Sequence, residues 1–275
     1  MPELPEVEIL ARELRQNVVG CVVVGVETLP DQQLEVGHDR LSELVGHEVV
    51  GIRRFGKRIS LDFDHGLSLL THLMMVGQWR YSGLTDEVPE EPKLVLTFED
   101  GSRLYLSGTA LRYQRLLPSQ EVESQEEIVA LGPDALSPDL TEKMLARALS
   151  QREAGIKAVL LEQSLVGGIG NTYTDEALYL AGINPRRKAS SLSGEEVGRL
   201  LAVIQQVMRE AIEHGGASEM AFVHLDGSKG HYQEVFRVKE REGQLCGRCG
   251  GVIVKERVAG RPTYYCPGCQ LAGPS

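Results

Sequence analysis

The 275-residue chain is 42% hydrophobic, enough to bury real cores, and its size suits two domains with a small appendage and excludes a disordered polypeptide. It holds no apolar run of the roughly eighteen residues a membrane helix needs, and its first residues mix charged with hydrophobic side chains, so the expectation is a cytoplasmic protein with no membrane partner and no secretory leader. A net charge of -10 weighs against nucleic acid as a partner, because phosphate neutralisation dominates non-specific DNA affinity, but residues 221–275 reverse the sign with eight Lys/Arg against five Asp/Glu.

After Pro2 and Pro5, the apolar residues Val7, Leu10, Ala11, Leu14 and Val18 fall at helical spacing, which predicts an amphipathic helix over 4–18; proline is tolerated in a first turn. From Cys21 to Leu117 the pattern changes to short β-branched runs (CVVVGVETL, HEVVGIRR, RISLDF, LSLLTHL, KLVLTF, RLYLS) separated by Asp, Gly and Pro. These predict an all-β domain, a sandwich or flattened barrel. The acidic stretch 121–138 ends in LGPDALSP, whose Pro and Gly break regular structure and mark a linker. Helical periodicity then predicts helices near 140–150, 155–165, 173–181 and 193–214, the last opening on Ser193 with Glu195 and Glu196 in its first turn and closing at Gly215 and Gly216. The expected organisation is a β domain at 1–120, a linker at 121–138, a helical domain at 139–220 and a C-terminal segment at 221–275, an α+β multidomain protein.

Four of the five cysteines crowd into the last thirty residues. Cys246, Cys249, Cys266 and Cys269 form two CxxC pairs with sixteen residues between them, the spacing of a four-thiolate zinc site. Each CxxC turn presents two sulfurs to one ion, and the intervening Val252–Val258 and Arg261–Tyr265 segments suit a small hairpin. Four protein ligands leave no open position on the metal, so one structural Zn2+ is expected. Cys21 stands alone, and disulfides are not expected in a reducing compartment. A zinc ribbon serves many partners and does not define a function, but Arg261 lies at the turn before the second thiol pair, where an exposed guanidinium can grip phosphate.

The chain opens on MPELPEVE and continues through FGK at 55–57, HLMMVG at 72–77, LGPDAL at 131–136, IKAVLLEQSLVGGIGNTYTDEALYLAGINP at 156–185 and RPTYYCPGCQ at 261–270. This ordered set resembles the formamidopyrimidine-DNA glycosylase and endonuclease VIII family across essentially the whole chain, and it leans towards the formamidopyrimidine branch. The resemblance implies an N-terminal β-sandwich carrying a catalytic helix, a helix-two-turns-helix domain and a C-terminal zinc hairpin, with duplex DNA in the cleft between the halves and the damaged nucleotide flipped out of the stack. It implies a monomeric base-excision repair enzyme that removes oxidised bases and then cuts the abasic strand as a lyase.

By that resemblance Pro2 is the nucleophile. An α-amine with a pKa of about 8 is partly unprotonated at neutral pH and can attack the anomeric carbon, provided Met1 is removed, since an acylated nitrogen cannot. Glu3 is the proton donor beside the departing base and the ring oxygen. Glu6 reinforces it one turn on, or else serves as a carboxylate set against the positive end of the helix. Lys57 is a phosphate clamp and the proton donor of the first elimination, with Arg261 acting similarly in the second; outside the family Lys57 reads as a turn lysine. Asn171, in the GGIGN turn, meets a phosphate together with helix N-terminal amides. That turn is not a dinucleotide loop, because no third glycine follows at the required spacing and no strand precedes it. His72, Met75, Arg112, Tyr113 and Lys157 complete the implied DNA contacts, although a lone histidine in an apolar strand is more often a core residue.

The family's Arg-Arg-Phe-Gly run is replaced here by Leu111, Arg112, Tyr113 and Gln114. Loss of the first arginine implies relaxed discrimination of the base opposite the lesion, while Met75 and Tyr113 can still wedge against unstacked bases. Two alternatives stay open: a glycosylase for oxidised pyrimidines of the endonuclease VIII type, and a weakly catalytic binder of abasic or distorted DNA. The lesion-facing loop is expected within 217–233.

Overall fold

The computed structural model describes residues 1–28, 38–85, 87–108, 113–218 and 222–271. They divide into two compact units, Met1–Val129 with His214–His231 and Ala130–Glu213 with Tyr232–Ser275. Residues 214–218, expected in the helical domain, cluster instead with the first unit, as do residues 222–231.

The first unit opens with α1 (Leu4–Asn17), whose Leu4, Val7, Leu10, Ala11 and Leu14 form a buried stripe at helical spacing. Val18 closes the helix with its N–H on the Leu14 carbonyl, 2.9 Å away. Then follow β1 (Val23–Thr28), the single turn α2 (His38–Leu41), β2 (Val49–Phe55), β3 (Arg58–Phe63), β4 (Leu67–His72), β5 (Gln78–Tyr81), β6 (Leu94–Phe98), β7 (Arg103–Ser107), β8 (Tyr113–Pro118) and the short α3 (Glu126–Val129). They build two four-stranded sheets, β1-β6-β7-β5 and β2-β3-β4-β8, with every named pairing antiparallel. This is the sandwich expected from the β-branched runs. The two strands absent from those runs, β5 (QWRY) and β8 (YQRLLP), are both sheet edges, where polar side chains and a terminal Pro118 are tolerated because one side of the backbone carries no ladder.

The second unit contains α4 (Glu142–Leu149), α5 (Ile156–Leu160), α6 (Asn171–Ala181), α7 (Gly194–Glu213) and the hairpin β9 (Val254–Val258) and β10 (Arg261–Tyr265). Thr141 caps α4 by accepting the Met144 N–H at 3.3 Å. At α7 the expected opening is present as a reciprocal cap: the Ser193 hydroxyl accepts the Glu196 N–H at 3.2 Å and Glu196 accepts the Ser193 N–H at 2.9 Å. Helix α5 stops five residues short of expectation, because the Gln163 side chain draws the chain into a turn by donating to the Ile169 carbonyl at 2.7 Å and accepting the Gly168 N–H at 3.1 Å. The expected linker is partly packed as well. Val122 and Ala135 are fully buried, and a Cβ at Gly132 would lie 2.5 Å from the Ser164 carbonyl oxygen, so the chain there runs against its neighbours. Among the described residues no helix is long and apolar enough to cross a membrane.

Candidate active site and metal centre

Pro2 and Glu3 lead into α1, Pro2 buried and Glu3 5% exposed, with the exposed Met1 before them. Glu3 is the N-cap, and its backbone N–H donates to the Glu6 carboxylate at 2.8 Å. The other oxygen of Glu6 accepts the Ala217 N–H at 2.9 Å. Glu6 is 2% exposed, so its carboxylate is a brace that fixes the backbone of Glu3 and ties it to the segment beginning at His214.

Lys57 lies in the two-residue turn between β2 and β3. Gly56 before it has a φ of 56°, the left-handed conformation that glycine adopts without strain, so the turn closes tightly between the paired residues Phe55 and Arg58. Lys57 is 7% exposed. Arg54 braces this turn by donating to the Gly56 carbonyl at 3.0 Å while its Nε donates to Glu8 of α1 at 2.7 Å. Arg54 and Arg12 hold the Glu8 carboxyl below its usual range against the opposing effect of burial. The helix after Pro2 and the turn bearing Lys57 are therefore joined by the Arg54–Glu8 ion pair, which sequence reasoning missed because nothing marks Glu8 or Arg54 apart from ordinary surface charge.

His72 ends β4 opposite Arg58. Burial, with the charges of Arg58 and Lys57 adding to it, pushes its imidazole down to about 4, so at neutral pH the ring is uncharged and can meet a phosphate as a hydrogen-bond donor but not as a cation. Met75, in the turn after β4, is 55% exposed, as an apolar wedge requires. Leu111 and Arg112 lie outside the described residues; Tyr113 pairs with His72 in the β4/β8 ladder.

In the second unit Asn171 opens α6 and donates through Nδ2 to the Pro262 carbonyl at 3.0 Å, beside the exposed Arg261. Arg261 begins β10 after a turn of Ala259 (φ 51°) and Gly260 (φ 71°), the primed geometry that matches the twist of a two-stranded ribbon. These two expected site residues are brought together. Lys157 is not with them as a surface contact: it is 0% exposed, and its ammonium reaches Asp175 at 2.6 Å, the Thr263 hydroxyl at 2.7 Å and the Pro262 carbonyl at 3.3 Å. The DNA contact expected at Lys157 is thus corrected to an internal latch between α5, α6 and β10, since an ammonium enclosed by three protein acceptors has no face for phosphate. Its neighbour Glu176, also fully buried, accepts the backbone N–H groups of Arg237, Val238 and Lys239 at 2.9–3.1 Å. Burial raises the Glu176 carboxyl, and those three donors oppose the rise. The signal for this pair was present in the sequence: two adjacent acids, Asp175 and Glu176, in the otherwise apolar helix TDEALYLA.

Cys246, Cys249, Cys266 and Cys269 bring their sulfurs within 4.8 Å of one another, with Cys246–Cys269 at 3.6 Å and Cys249–Cys266 at 3.5 Å. A tetrahedral ion with Zn–S bonds of about 2.3 Å needs sulfurs about 3.8 Å apart, so the four thiols fit one zinc without rearrangement. Gly268 and Gly251 keep the site open to sulfur, a Cβ at either falling 3.0 and 3.3 Å from the Cys249 Sγ.

A β domain whose N-terminus leads directly into a buried helix, a helical unit with a tight turn opening α6, and a four-thiolate hairpin together fit a nucleic-acid-processing class of protein. Three family profiles match in that order: the formamidopyrimidine-DNA glycosylase N-terminal domain over residues 1–112, the formamidopyrimidine-DNA glycosylase H2TH domain over 131–222, and the zinc finger found in FPG and IleRS over 243–272. Formamidopyrimidine-DNA glycosylases from Pelotomaculum thermopropionicum and Geobacillus kaustophilus are 35% and 34% identical, over 98% of this chain and 99% and 100% of theirs. The chain belongs to the formamidopyrimidine-DNA glycosylase family. Among solved structures it is similar to the Lactococcus lactis Fpg complexed with DNA containing an abasic site (TM-score 0.88, 32% identity, 98% of this chain and 99% of that one). It is also similar to the same protein with DNA containing N7-benzyl-Fapy-dG (TM-score 0.89, 33% identity, 98% and 100%).

Proposed function

We propose that this chain is a bifunctional base-excision repair enzyme that removes oxidised bases from duplex DNA and cleaves the resulting abasic strand, acting as a monomer in the cytoplasm at the nucleoid. The observation that carries the assignment of roles is the brace at the head of α1: Glu6 holds the Glu3 backbone at 2.8 Å and so fixes the Pro2-Glu3 pair at the start of a buried helix.

With Met1 removed, the Pro2 amine attacks C1′ of the damaged nucleotide. The glycosidic bond breaks and its electron pair leaves with the base, while Glu3 supplies a proton to the sugar ring oxygen. The attacking nitrogen gives up its proton, and its lone pair then opens the C1′–O4′ bond, whose electron pair leaves on the ring oxygen as a hydroxyl carrying the Glu3 proton; the iminium so formed at C1′ acidifies the C2′ proton, whose loss expels the 3′ phosphate, and a second elimination, with loss of the C4′ proton, expels the 5′ phosphate. Lys57 assists the first elimination and Arg261 the second, each by meeting the leaving phosphate with a cation. Asn171 and the first amides of α6 hold a backbone phosphate, His72 donates to another as a neutral ring, and Met75 with Arg112 and Tyr113 fills the gap left by the flipped nucleotide. The zinc site does no chemistry: bound metal would hold the hairpin that carries Arg261.

Borohydride reduction on abasic-site DNA, followed by mass spectrometry of the N-terminal peptide, tests this reading. A covalent link on Pro2 with Met1 absent is expected. Tight DNA binding with no trapped complex would instead indicate a recognition protein. A broader lesion range is a second reading, favoured by the similarity to the Lactococcus lactis Fpg bound to oxidised-pyrimidine DNA (TM-score 0.87, 34% identity) and by Leu111. Excision opposite all four bases at similar rates supports relaxed opposite-base discrimination, and a strong cytosine preference defeats it.

A further inference from the structure

Residues 214–218 and 222–231 form two arms of the chain that come together. They meet where the His231 N–H donates to the His214 carbonyl at 2.9 Å and the Gly230 N–H donates to the Ser218 hydroxyl at 2.9 Å. A Cβ at Gly230 would lie 2.1 Å from the Gly215 carbonyl oxygen, so the two arms touch backbone to backbone. The arms are held to α1 by two carboxylates. Glu6 takes the Ala217 N–H, and Glu13 takes the Leu225 N–H at 3.0 Å on one oxygen and His224 Nδ1 at 2.5 Å on the other.

The second ring nitrogen of His224 fixes its protonation state. Nε2 lies 2.9 Å from the Gly215 carbonyl oxygen, which can only accept, while Nδ1 faces a carboxylate oxygen. A neutral imidazole carries one N–H, so only the imidazolium satisfies both contacts. The fit around it is close: Gly215 has a φ of 72°, and a Cβ there would approach Nε2 to 3.1 Å.

We propose that His224 is a positioning residue whose imidazolium clasps the two arms, at Gly215–Ala217 and at His224–Leu225, onto α1, keeping the Ala217–Glu6–Glu3 chain of hydrogen bonds in place, and that loss of its proton releases that clasp. The role rests on the reading of Pro2 and Glu3 as the reacting pair. The charged groups around the ring are Glu13 on α1 and Asp226 in the following turn, with Arg80 of β5 set against Asp226; Glu6 lies nearly two turns earlier on α1, beside Gly216. The hydrogen bond to Glu13 raises the imidazole above its ordinary value, against the opposing effect of burial, and Asp226 adds to the rise. The clasp is complete below about pH 6.5, the ordinary histidine value, and is lost as pH climbs through the raised one.

The test uses the full-length, zinc-loaded protein with Met1 removed. NMR titration of the His224 ring, amide exchange at Ala217 and Leu225, and two activities are measured for wild type, His224→Gln and Glu13→Gln between pH 6 and 9. The activities are excision of an oxidised base and borohydride trapping at a pre-formed abasic site. Wild-type His224 is expected to titrate above 6.5, with protection at both amides falling about tenfold across that titration. In His224→Gln the protection is already lost at pH 6, kcat for excision falls several-fold with KM little changed, and trapping, which uses the same Pro2-Glu3 pair, falls with it. Glu13→Gln keeps an acceptor for Leu225 but removes the charge, and is expected to lower the histidine titration. Unchanged protection at Ala217 and Leu225 in both variants, or a His224 titration at or below 6.5, overturns the proposal. Absence of wild-type trapping overturns the nucleophile reading, while the exchange data still decide the clasp.

Discussion

Lys157 and Asp175 meet at 2.6 Å with both side chains wholly removed from solvent, and each also holds the β10 strand: the ammonium through Thr263 and Pro262, the carboxylate through the Tyr264 N–H at 3.0 Å. Removing one member of such a pair strands the other charge in a medium that cannot solvate it. Lys157→Met is therefore expected to cost about 3–5 kcal/mol in urea unfolding, and adding Asp175→Asn, which keeps an acceptor for Tyr264, is expected to restore part of it. A single-variant loss below about 1 kcal/mol would contradict the reading of a buried latch.

The hairpin that this latch anchors also depends on its metal. Arg261 lies between the two thiol pairs, so chelation of zinc is expected to loosen β9 and β10 and abolish DNA binding while leaving the β-sheet signal of the first unit in circular dichroism unchanged. Cys249→Ser should reproduce the effect without a chelator. Full DNA affinity in a metal-free sample would show that the hairpin stands on its packing alone.

Glu196 forms a two-point pair with Arg187, with Oε2 2.7 Å from Nη2 and Oε1 also bonded to Nη1. The Arg187 guanidinium holds its carboxyl at about 2, against burial that would raise it. A depressed carboxyl stabilises the fold above its unfolded value of about 4.5, and that contribution disappears as pH falls from there to about 2. Glu196→Gln should thus lower the melting temperature at pH 7, by no more than about 3 kcal/mol in free energy, and should match wild type near pH 2. Equal destabilisation at both pH values would assign the effect to the Ser193 cap instead.

For His72 the sign is opposite. A histidine held neutral, with a folded value of about 4, costs stability on acidification, because the unfolded chain takes up a proton that the folded chain refuses. His72→Gln is expected to resist acid better than wild type between pH 6.5 and 4 and to show no such advantage at pH 8, as melting curves across that range would reveal.

The strongest sequence signals were those whose physics is local. The CxxC pairs, the stripe of α1, the β-branched runs and the Ser193 cap each depend on spacing within a short window, and all four are present as expected. What escaped depends on partners far along the chain. Lys157 read as a surface cation because its enclosing groups, Asp175 and Thr263, come from two other elements. Glu8 and Arg54 are 46 residues apart, and nothing in either neighbourhood announces the other. Strands β5 and β8 escaped for a different reason: an edge strand need not be apolar on both faces, so its composition resembles a loop.

The arms at 214–218 and 222–231 belong to the first unit although the chain before and after them belongs to the second, and their bonds to Glu6 and Glu13 span 211 or 212 residues. During synthesis from the N-terminus the two sheets can assemble early, but the helix that follows Pro2 waits for more than two hundred residues before its carboxylates find their donors. The N-terminal helix is consequently among the last parts to be set in place. A chain stalled or clipped before residue 214 would keep its sheets and its terminal proline while leaving the Glu6 and Glu13 carboxylates without the Ala217 and Leu225 amides they bind.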